Sequence, residues 1–142
     1  MPDQLSRDER SALMSKVRTR GTGPELAVRA VLASLGVSFR TNVGSLPGQP
    51  DIVAFEHRVA IFVHGCFWHQ HKGCGRSQLP KRNLEFWSTK LLRNVQRGRR
   101  QVQDLRRAGW RVAIVWECQT GSVRLRTIRS RLKRLLVMPR RP

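Results

Sequence analysis

The chain has no tyrosine, only three cysteines and only nine acidic residues among its 142 residues. Three cysteines cannot all pair within one chain, so we expect reduced or metal-bound thiols rather than a complete disulfide framework. No apolar run approaches the roughly 20 residues that a membrane helix needs, and the N-terminus is too polar for a signal peptide. These features predict a soluble protein of the cytoplasm with no membrane contact.

Positive charge is abundant by contrast. Lys and Arg together number 28, which gives a formal net charge of +19. A surface of that sign attracts polyanions at long range, so nucleic acid is the first partner to consider. The basic residues are mostly Arg and recur from Arg7 to Arg141 within patterned segments, whereas a disordered basic tail would gather them in one block. Charge alone does not separate a nuclease from a ribosomal protein or a passive binder.

Apolar periodicity and turn residues predict a single α/β domain over residues 1–142. In chain order we expect a helix at 7–17, a second helix from 22–24 to Gly36, strands at 37–40, 51–55 and 59–64, a helix at 84–108, a strand at 110–116 and a helix at 123–137. This order predicts a mixed central sheet flanked by helices. Residues 65–82 show no periodicity, and a loop of that length needs local fastening, which a metal ion would provide.

The cysteines suggest which metal. Cys66, His71 and Cys74 lie close together in the chain, and Cys118 directly follows the predicted strand at 110–116. Three thiolates and one imidazole suit a tetrahedral structural zinc site. Cysteines can also be small buried hydrophobic residues, but zinc is favoured because every cysteine of the chain would be used. His69 could replace His71 as the fourth ligand.

A carboxylate and a histidine are predicted to meet at one end of the sheet. If the strands at 51–55 and 59–64 are antiparallel, Asp51 opens one strand where His64 ends the other. Phosphodiester cleavage needs a divalent cation and a base, so Asp51 would hold magnesium while His64 or His69 moves protons. Taken singly, Asp51 can be a turn residue and each histidine a surface group. Glu25, in the first turn of a helix, suits the helix dipole, or could supply a further carboxylate if that turn faces the sheet edge.

Phe67 and Trp68 are large rings in a polar loop. One use is a wedge that enters between base pairs and compensates for their unstacking. The alternative is a small satellite core over the zinc loop. Trp87, early in the long helix, poses the same choice, whereas Trp110 and Trp116 are most simply sheet core.

Three segments closely resemble the very short patch repair (Vsr-type) DNA mismatch endonucleases: SLPGQPDIVAFEHRVAIFVHGCFWHQH, EFWSTKLLRNVQRGRR and GWRVAIVWEC. The likeness covers about residues 10–118, and its most specific element is F-x-H-G-C-F-W-H. It implies a restriction-endonuclease-like fold of the PD-(D/E)xK type with a structural zinc site. It also implies a magnesium-dependent nick on the 5′ side of the mispaired T in T:G mismatches, which arise when 5-methylcytosine deaminates.

The resemblance also implies roles for individual positions. Asp51 would bind magnesium, His64 and His69 would be catalytic, and Glu25 would contact the water shell of the metal. The implied zinc ligands are Cys66, His71, Cys74 and Cys118. The implied DNA-contacting residues are Phe67, Trp68 and Trp87 in the aromatic wedge, and Met14, inserted from an N-terminal helix or arm over residues 1–20.

Three departures from the family pattern bear on these roles. Val63 replaces a Thr, so a magnesium contact there must use the backbone carbonyl. Gly98 stands where an acidic residue can orient His69. The spacing from His71 to Cys74 is one residue longer than expected.

The resemblance implies a monomer that acts on double-stranded DNA containing a T:G mismatch, with mismatch-repair proteins as further partners, at the nucleoid of a bacterial cytoplasm. Two alternatives stay open. One is a restriction-type endonuclease that cuts matched DNA. The other is a zinc-stabilised DNA-binding module without catalysis.

Overall fold

The computed structural model describes residues 22–137, so the predicted helix at 7–17 lies outside the described residues. The described elements are, in chain order, α1 (Gly23–Ser34), β1 (Arg40–Thr41), β2 (Ile52–Ala54), β3 (Val59–His64), α2 (Leu84–Arg107), β4 (Arg111–Trp116) and α3 (Ser122–Val137). Single turns of 3-10 helix occupy Phe55–His57, Gly75–Ser77 and Glu117–Gln119. No helix among these residues is long and apolar enough to cross a membrane.

The four strands form one mixed sheet in the order β1-β2-β3-β4. β2 is antiparallel to both β1 and β3, whereas β3 and β4 are parallel. The long helix α2 makes the crossover that a parallel pair requires. The predicted mixed sheet flanked by helices is confirmed.

Helices cover both faces of this sheet. One core lies between the sheet and helices α1 and α3; among its fully buried members are Leu32, Ile61 and Leu132. A second core lies beneath α2 and includes Phe62, Leu105 and Trp110. β3 contributes to both cores because successive side chains of a strand point to opposite faces. β3, which ends at His64, is therefore covered on both of its faces.

The start of α1 follows its sequence closely. The Thr22 hydroxyl accepts a hydrogen bond from the Glu25 N–H at 3.3 Å, and proline lies in the first turn. Gly36, with φ of +70°, follows the helix end as predicted. Glu25 is thereby fixed in the first turn, where it is only 3% exposed.

Two predicted strands are shorter than expected. The segment at 37–40 is strand only at Arg40–Thr41, because Val37 and Phe39 pack their side chains against the first core instead. The segment at 51–55 is strand only at Ile52–Ala54, since Phe55 already begins a 3-10 turn that leads into β3. Trp116 also differs from its prediction, because it is half-buried and stacks on His71 rather than lying in the sheet core.

Candidate active site and metal centre

A cleft of about 510 Å³ gathers the predicted catalytic side chains at one edge of the sheet. Its lining includes Glu25, Asp51, His64 and His69. The register of the sheet explains the meeting: Ile52 pairs with Ile61, so the residue before β2 lies beside the end of β3. The Val63 N–H donates a hydrogen bond of 2.7 Å to the Asp51 carboxylate.

Asp51 is held in a partly dry and negatively charged environment. Burial, helped by the negative charge of Glu25, raises the pKa of the Asp51 carboxyl to about 6, and the hydrogen bond from the Val63 N–H opposes this rise. Glu25 itself pairs with Arg29 at 3.3 Å. Two carboxylates that line one cleft are a donor set that fits a divalent cation such as magnesium.

The two histidines lie face to face. Their rings stack at 3.7 Å with an interplanar angle of 3°. Burial lowers the pKa of His64 to about 3 and also lowers the pKa of His69. Nδ1 of His64 is buried with no hydrogen-bond partner among residues 22–137. Both imidazoles are therefore neutral near pH 7 and able to accept a proton.

Gly98 faces His69 from the long helix. A methyl group added at Gly98 would lie 3.9 Å from Nδ1 of His69, which is ordinary van der Waals contact. A longer side chain at this position could reach the His69 ring and orient it, but glycine has no side chain to do so.

The predicted zinc ligands converge beside the cleft. The ligand atoms of Cys66, His71, Cys74 and Cys118 all lie within 4.8 Å of one another. Nδ1 of His71 is 3.6 Å from Sγ of Cys66 and 3.4 Å from Sγ of Cys118. Tetrahedral zinc with ordinary bond lengths separates a sulfur from a nitrogen ligand by about 3.6 Å, so the cluster fits this ion. His69 lies instead in the cleft, stacked on His64.

The surroundings of the cluster fix its geometry. Trp116 stacks on the His71 ring at 4.1 Å, and the Ser77 hydroxyl donates to the carbonyls of His71 and Cys74. Burial raises the pKa of the Cys66 thiol to about 12. A thiolate there needs a nearby positive charge, which a zinc ion would supply.

Glu117 is a residue of this site that the sequence analysis missed. Its carboxylate accepts a 2.9 Å hydrogen bond from the Cys66 N–H, pairs with Arg76 at 3.8 Å and also lines the cleft. Its position immediately before Cys118 was the available indication. Glu117 therefore connects the thiol cluster to the cleft that holds Asp51 and the two histidines.

The aromatic residues pack as a group. Phe67 contacts Trp68 at 5.2 Å and Trp87 at 5.6 Å between ring centroids. Trp87 is only 5% exposed, whereas Phe67 and Trp68 are half-buried in the loop above it. Lys90 lies over the Trp68 and Trp87 rings. Met14 lies outside the described residues.

A buried carboxylate and two imidazoles at one edge of a mixed sheet, in a chain of formal charge +19, define a DNA endonuclease with a restriction-endonuclease-like fold. Residues 2–76 match the family model described as DNA mismatch endonuclease Vsr. The chain belongs to the Vsr family, and it is therefore a nuclease of DNA mismatch repair.

Individual relatives agree with this assignment. The DNA mismatch endonuclease Vsr of Escherichia coli is 44% identical over 118 residues, which cover 83% of this chain and 75% of that protein. The type II nicking enzyme V.XorIIP of Xanthomonas oryzae is 46% identical over 136 residues, covering 96% and 98%. The type II nicking enzyme V.NmeAIP of Neisseria meningitidis is 35% identical over 136 residues, covering 96% and 95%.

Proposed function

We propose that this chain nicks duplex DNA on the 5′ side of the mispaired T in a T:G mismatch, in a magnesium-dependent reaction centred on Asp51, and so initiates very short patch repair. The observation that carries the proposal is the meeting of Glu25, Asp51, His64 and His69 in one cleft. One cleft serves one phosphodiester bond, so a monomer that cuts a single strand follows. Its substrate is double-stranded DNA, at the bacterial nucleoid.

Asp51 is the proposed magnesium ligand. Bound there, the ion would neutralise charge on the scissile phosphate and make the attacking water more acidic. The Val63 N–H orients the carboxylate. Both backbone groups of a strand residue point to the same side, so the Val63 carbonyl faces the Asp51 side as well and can add a backbone ligand. Glu25 would contact the ion through its water shell.

The histidines are proposed to move the protons. His64, neutral near pH 7, accepts a proton from the attacking water, whose oxygen then bonds to phosphorus. The bond from phosphorus to the 3′ oxygen breaks, that oxygen takes a proton from a solvent water molecule, and His64 returns its proton to the hydroxide left behind. His69 assists by holding the His64 ring in the stacked position. The stacked arrangement disfavours charge on both rings together, so His69 stays neutral while His64 carries the proton.

The thiol cluster and the aromatic loop have supporting roles in this proposal. Zinc bound by Cys66, His71, Cys74 and Cys118 would fix the loop between β3 and α2. Phe67 and Trp68, in that loop, would enter the duplex beside the mismatch, with Trp87 packed behind them. Met14 would insert from the N-terminal segment 1–20.

A strand-labelled T:G duplex tests the proposal directly. With magnesium, wild type should release one labelled fragment from the T strand, and Asp51→Ala should lose on the order of 10²-fold or more of that rate. Asp104→Ala is the control, because Asp104 is a carboxylate of α2 that pairs with Arg107 outside the cleft. Equal nicking by wild type and Asp51→Ala would remove Asp51 from the mechanism.

A second candidate is nicking of a matched recognition site. Two relatives favour it, because V.XorIIP and V.NmeAIP are named type II nicking enzymes, with no mention of a mismatch. A matched duplex with the same flanks, run in parallel, separates the two functions. The non-catalytic binding module is set aside, because the chain belongs to an endonuclease family.

A further inference from the structure

A groove follows the outer edge of β4. Within the described part of the chain β4 ends the sheet, with α2 on one face and α3 on the other. Two cavities of about 720 and 420 Å³ follow this edge and share Arg106 and Ile114 in their linings. We call this continuous depression the β4-edge groove.

The rim of the β4-edge groove is cationic. Arg99 and Arg106 reach it from α2, and Arg131 and Arg134 from α3. No Asp or Glu contributes to either lining. Arg131 donates a hydrogen bond to the Ile114 carbonyl of β4. A charged side chain at this position hinders the pairing of another strand with the exposed edge. Arg106 and Arg134 are exposed and form no ion pair with residues 22–137, so they are available to anions.

The floor of the larger cavity is apolar. It includes Val95, Val102, Ile114 and Trp116. Duplex DNA presents its phosphates outward and its bases inward, so a duplex would leave this floor unused. An unpaired base can cover such a floor with its flat face while its backbone lies along the arginines. The combination of an apolar floor and a cationic rim therefore favours a single strand.

The groove is continuous with the catalytic cleft. His64 and His69 line both the cleft and the larger cavity of the groove. A strand whose phosphate lies at Asp51 can therefore pass the two imidazoles and enter the groove without leaving the protein surface.

We propose that the β4-edge groove binds an unpaired stretch of the DNA strand that is cut, adjacent to the scissile phosphate, with Arg106 and Arg134 on its phosphates. The identity of the strand rests on the proposed function, but the binding of unpaired DNA does not. Such a site would hold the strand once the mismatch or the nick has released it from its complement.

Binding of a fluorescent ten-nucleotide single strand, measured by anisotropy without magnesium, tests the groove. Arg106→Gln/Arg134→Gln removes two charges from its rim. The control, Arg107→Gln/Arg126→Gln, removes two exposed charges from the same helices outside both cavities. Two lost phosphate contacts should reduce the slope of log K against log salt by about 1.4 for a single strand, whereas the control should keep the wild-type slope.

A second pair of variants guards against a general charge effect. Gln103→Glu places a carboxylate in the groove lining, and Gln96→Glu places one at an exposed position of α2 outside it. Only Gln103→Glu should weaken single-strand binding, by about tenfold. Melting temperatures equal to wild type would exclude misfolding as the cause.

Equal losses in the groove variants and their controls would overturn the inference. The proposed function fails separately, if wild type does not nick a T:G duplex with magnesium. Wild-type nicking combined with no groove-specific loss would retain the proposed function and reject the groove.

Discussion

At the scale of single residues, the cleft holds ionisable groups where their charged forms are disfavoured. Burial raises the pKa of Asp51 to about 6 and lowers the pKa of His64 to about 3. In the folded protein without metal, the neutral form of each group is therefore favoured more strongly than it is in water. Groups with pKa values shifted this far are typical of functional sites.

Asp51→Asn should make the metal-free protein more stable near pH 8. Between about pH 4 and 6 the folded state binds more protons at Asp51 than the unfolded state, so wild-type Asp51 loses stability as pH rises through that window. Removing the charge should recover on the order of 1 to 3 kcal/mol above pH 6. Denaturant titrations at pH 4 and pH 8 measure the gain, which should vanish at pH 4. A gain of equal size at both pH values would contradict this account.

The nicking rate should rise as pH increases through about 6 and then level off. A protonated Asp51 binds magnesium poorly, whereas the lowered pKa values of His64 and His69 keep both imidazoles neutral over this range. More magnesium competes with the proton and should move the midpoint to lower pH. Single-turnover rates at two magnesium concentrations test this. A pH midpoint that does not change with magnesium concentration would assign the titration to a group other than Asp51.

At the scale of elements, a long loop between β3 and α2 carries three of the four residues of the thiol cluster and the half-buried rings of Phe67 and Trp68. Apart from the single 3-10 turn at Gly75–Ser77, no helix or strand pairing holds this segment. Two groups of side-chain contacts hold it instead: the thiols cluster with His71, and Phe67 and Trp68 pack on Trp87.

Cys118→Ser should reduce zinc content below one equivalent and lower the melting temperature by roughly 5–10 °C, because metal-binding free energy contributes to folding. Thr120→Ser, two residues later in the chain, is the control. Serine keeps the hydroxyl that donates a hydrogen bond to the Glu117 carbonyl, so this variant should match wild type in zinc content and melting temperature. Metal analysis and thermal denaturation provide the measurements. A fully loaded Cys118→Ser protein would remove Cys118 from the ligand set.

Trp68→Ala should weaken binding to a T:G duplex by about tenfold and leave matched-duplex binding unchanged, because stacking against a distorted step is lost. Phe55→Ala is the control, since Phe55 is an exposed ring that packs on Trp110 away from the cleft. Competition binding with both duplexes measures the preference. Equal weakening on matched DNA would indicate a general contact rather than a wedge.

At the scale of the whole molecule, the net positive charge attracts DNA to the protein surface. The cleft that holds Asp51 and the histidines limits how many strands can be cut there. The +19 charge provides long-range attraction without sequence preference. In the proposed function, selectivity for a mismatch must therefore come from the side chains that contact the distorted base step.

One chain should bind one duplex and produce one nick. The described residues contain one set of the proposed catalytic side chains in one cleft, and two cuts would need a second set. Sedimentation of the complex measures the number of chains bound to each duplex. Comparing native with denaturing gels of the product distinguishes one nick from a double-strand break. Double-strand breaks in matched DNA would favour the restriction-type alternative instead.

Much of this molecule could be predicted from local sequence. The α1 start at Thr22 and Pro24, the buried β3 and the amphipathic α2 each follow from side chains that act within a few residues of their own position. The strand ends at 37–40 and 51–55 could not be predicted, because side-chain packing of Val37 and Phe39 and the turn at Phe55 decided them.

The sequence by itself determined which reactive groups the protein has. These are its positive charge, the three thiols with His71, and the Asp51 carboxylate before a strand. Only the tertiary structure decided that Glu25 and Asp51 share a cleft, that His64 stacks on His69, and that Glu117 joins the cleft to the thiol cluster. These contacts join residues from different elements. Their distances depend on sheet register and helix packing, which no local pattern specifies.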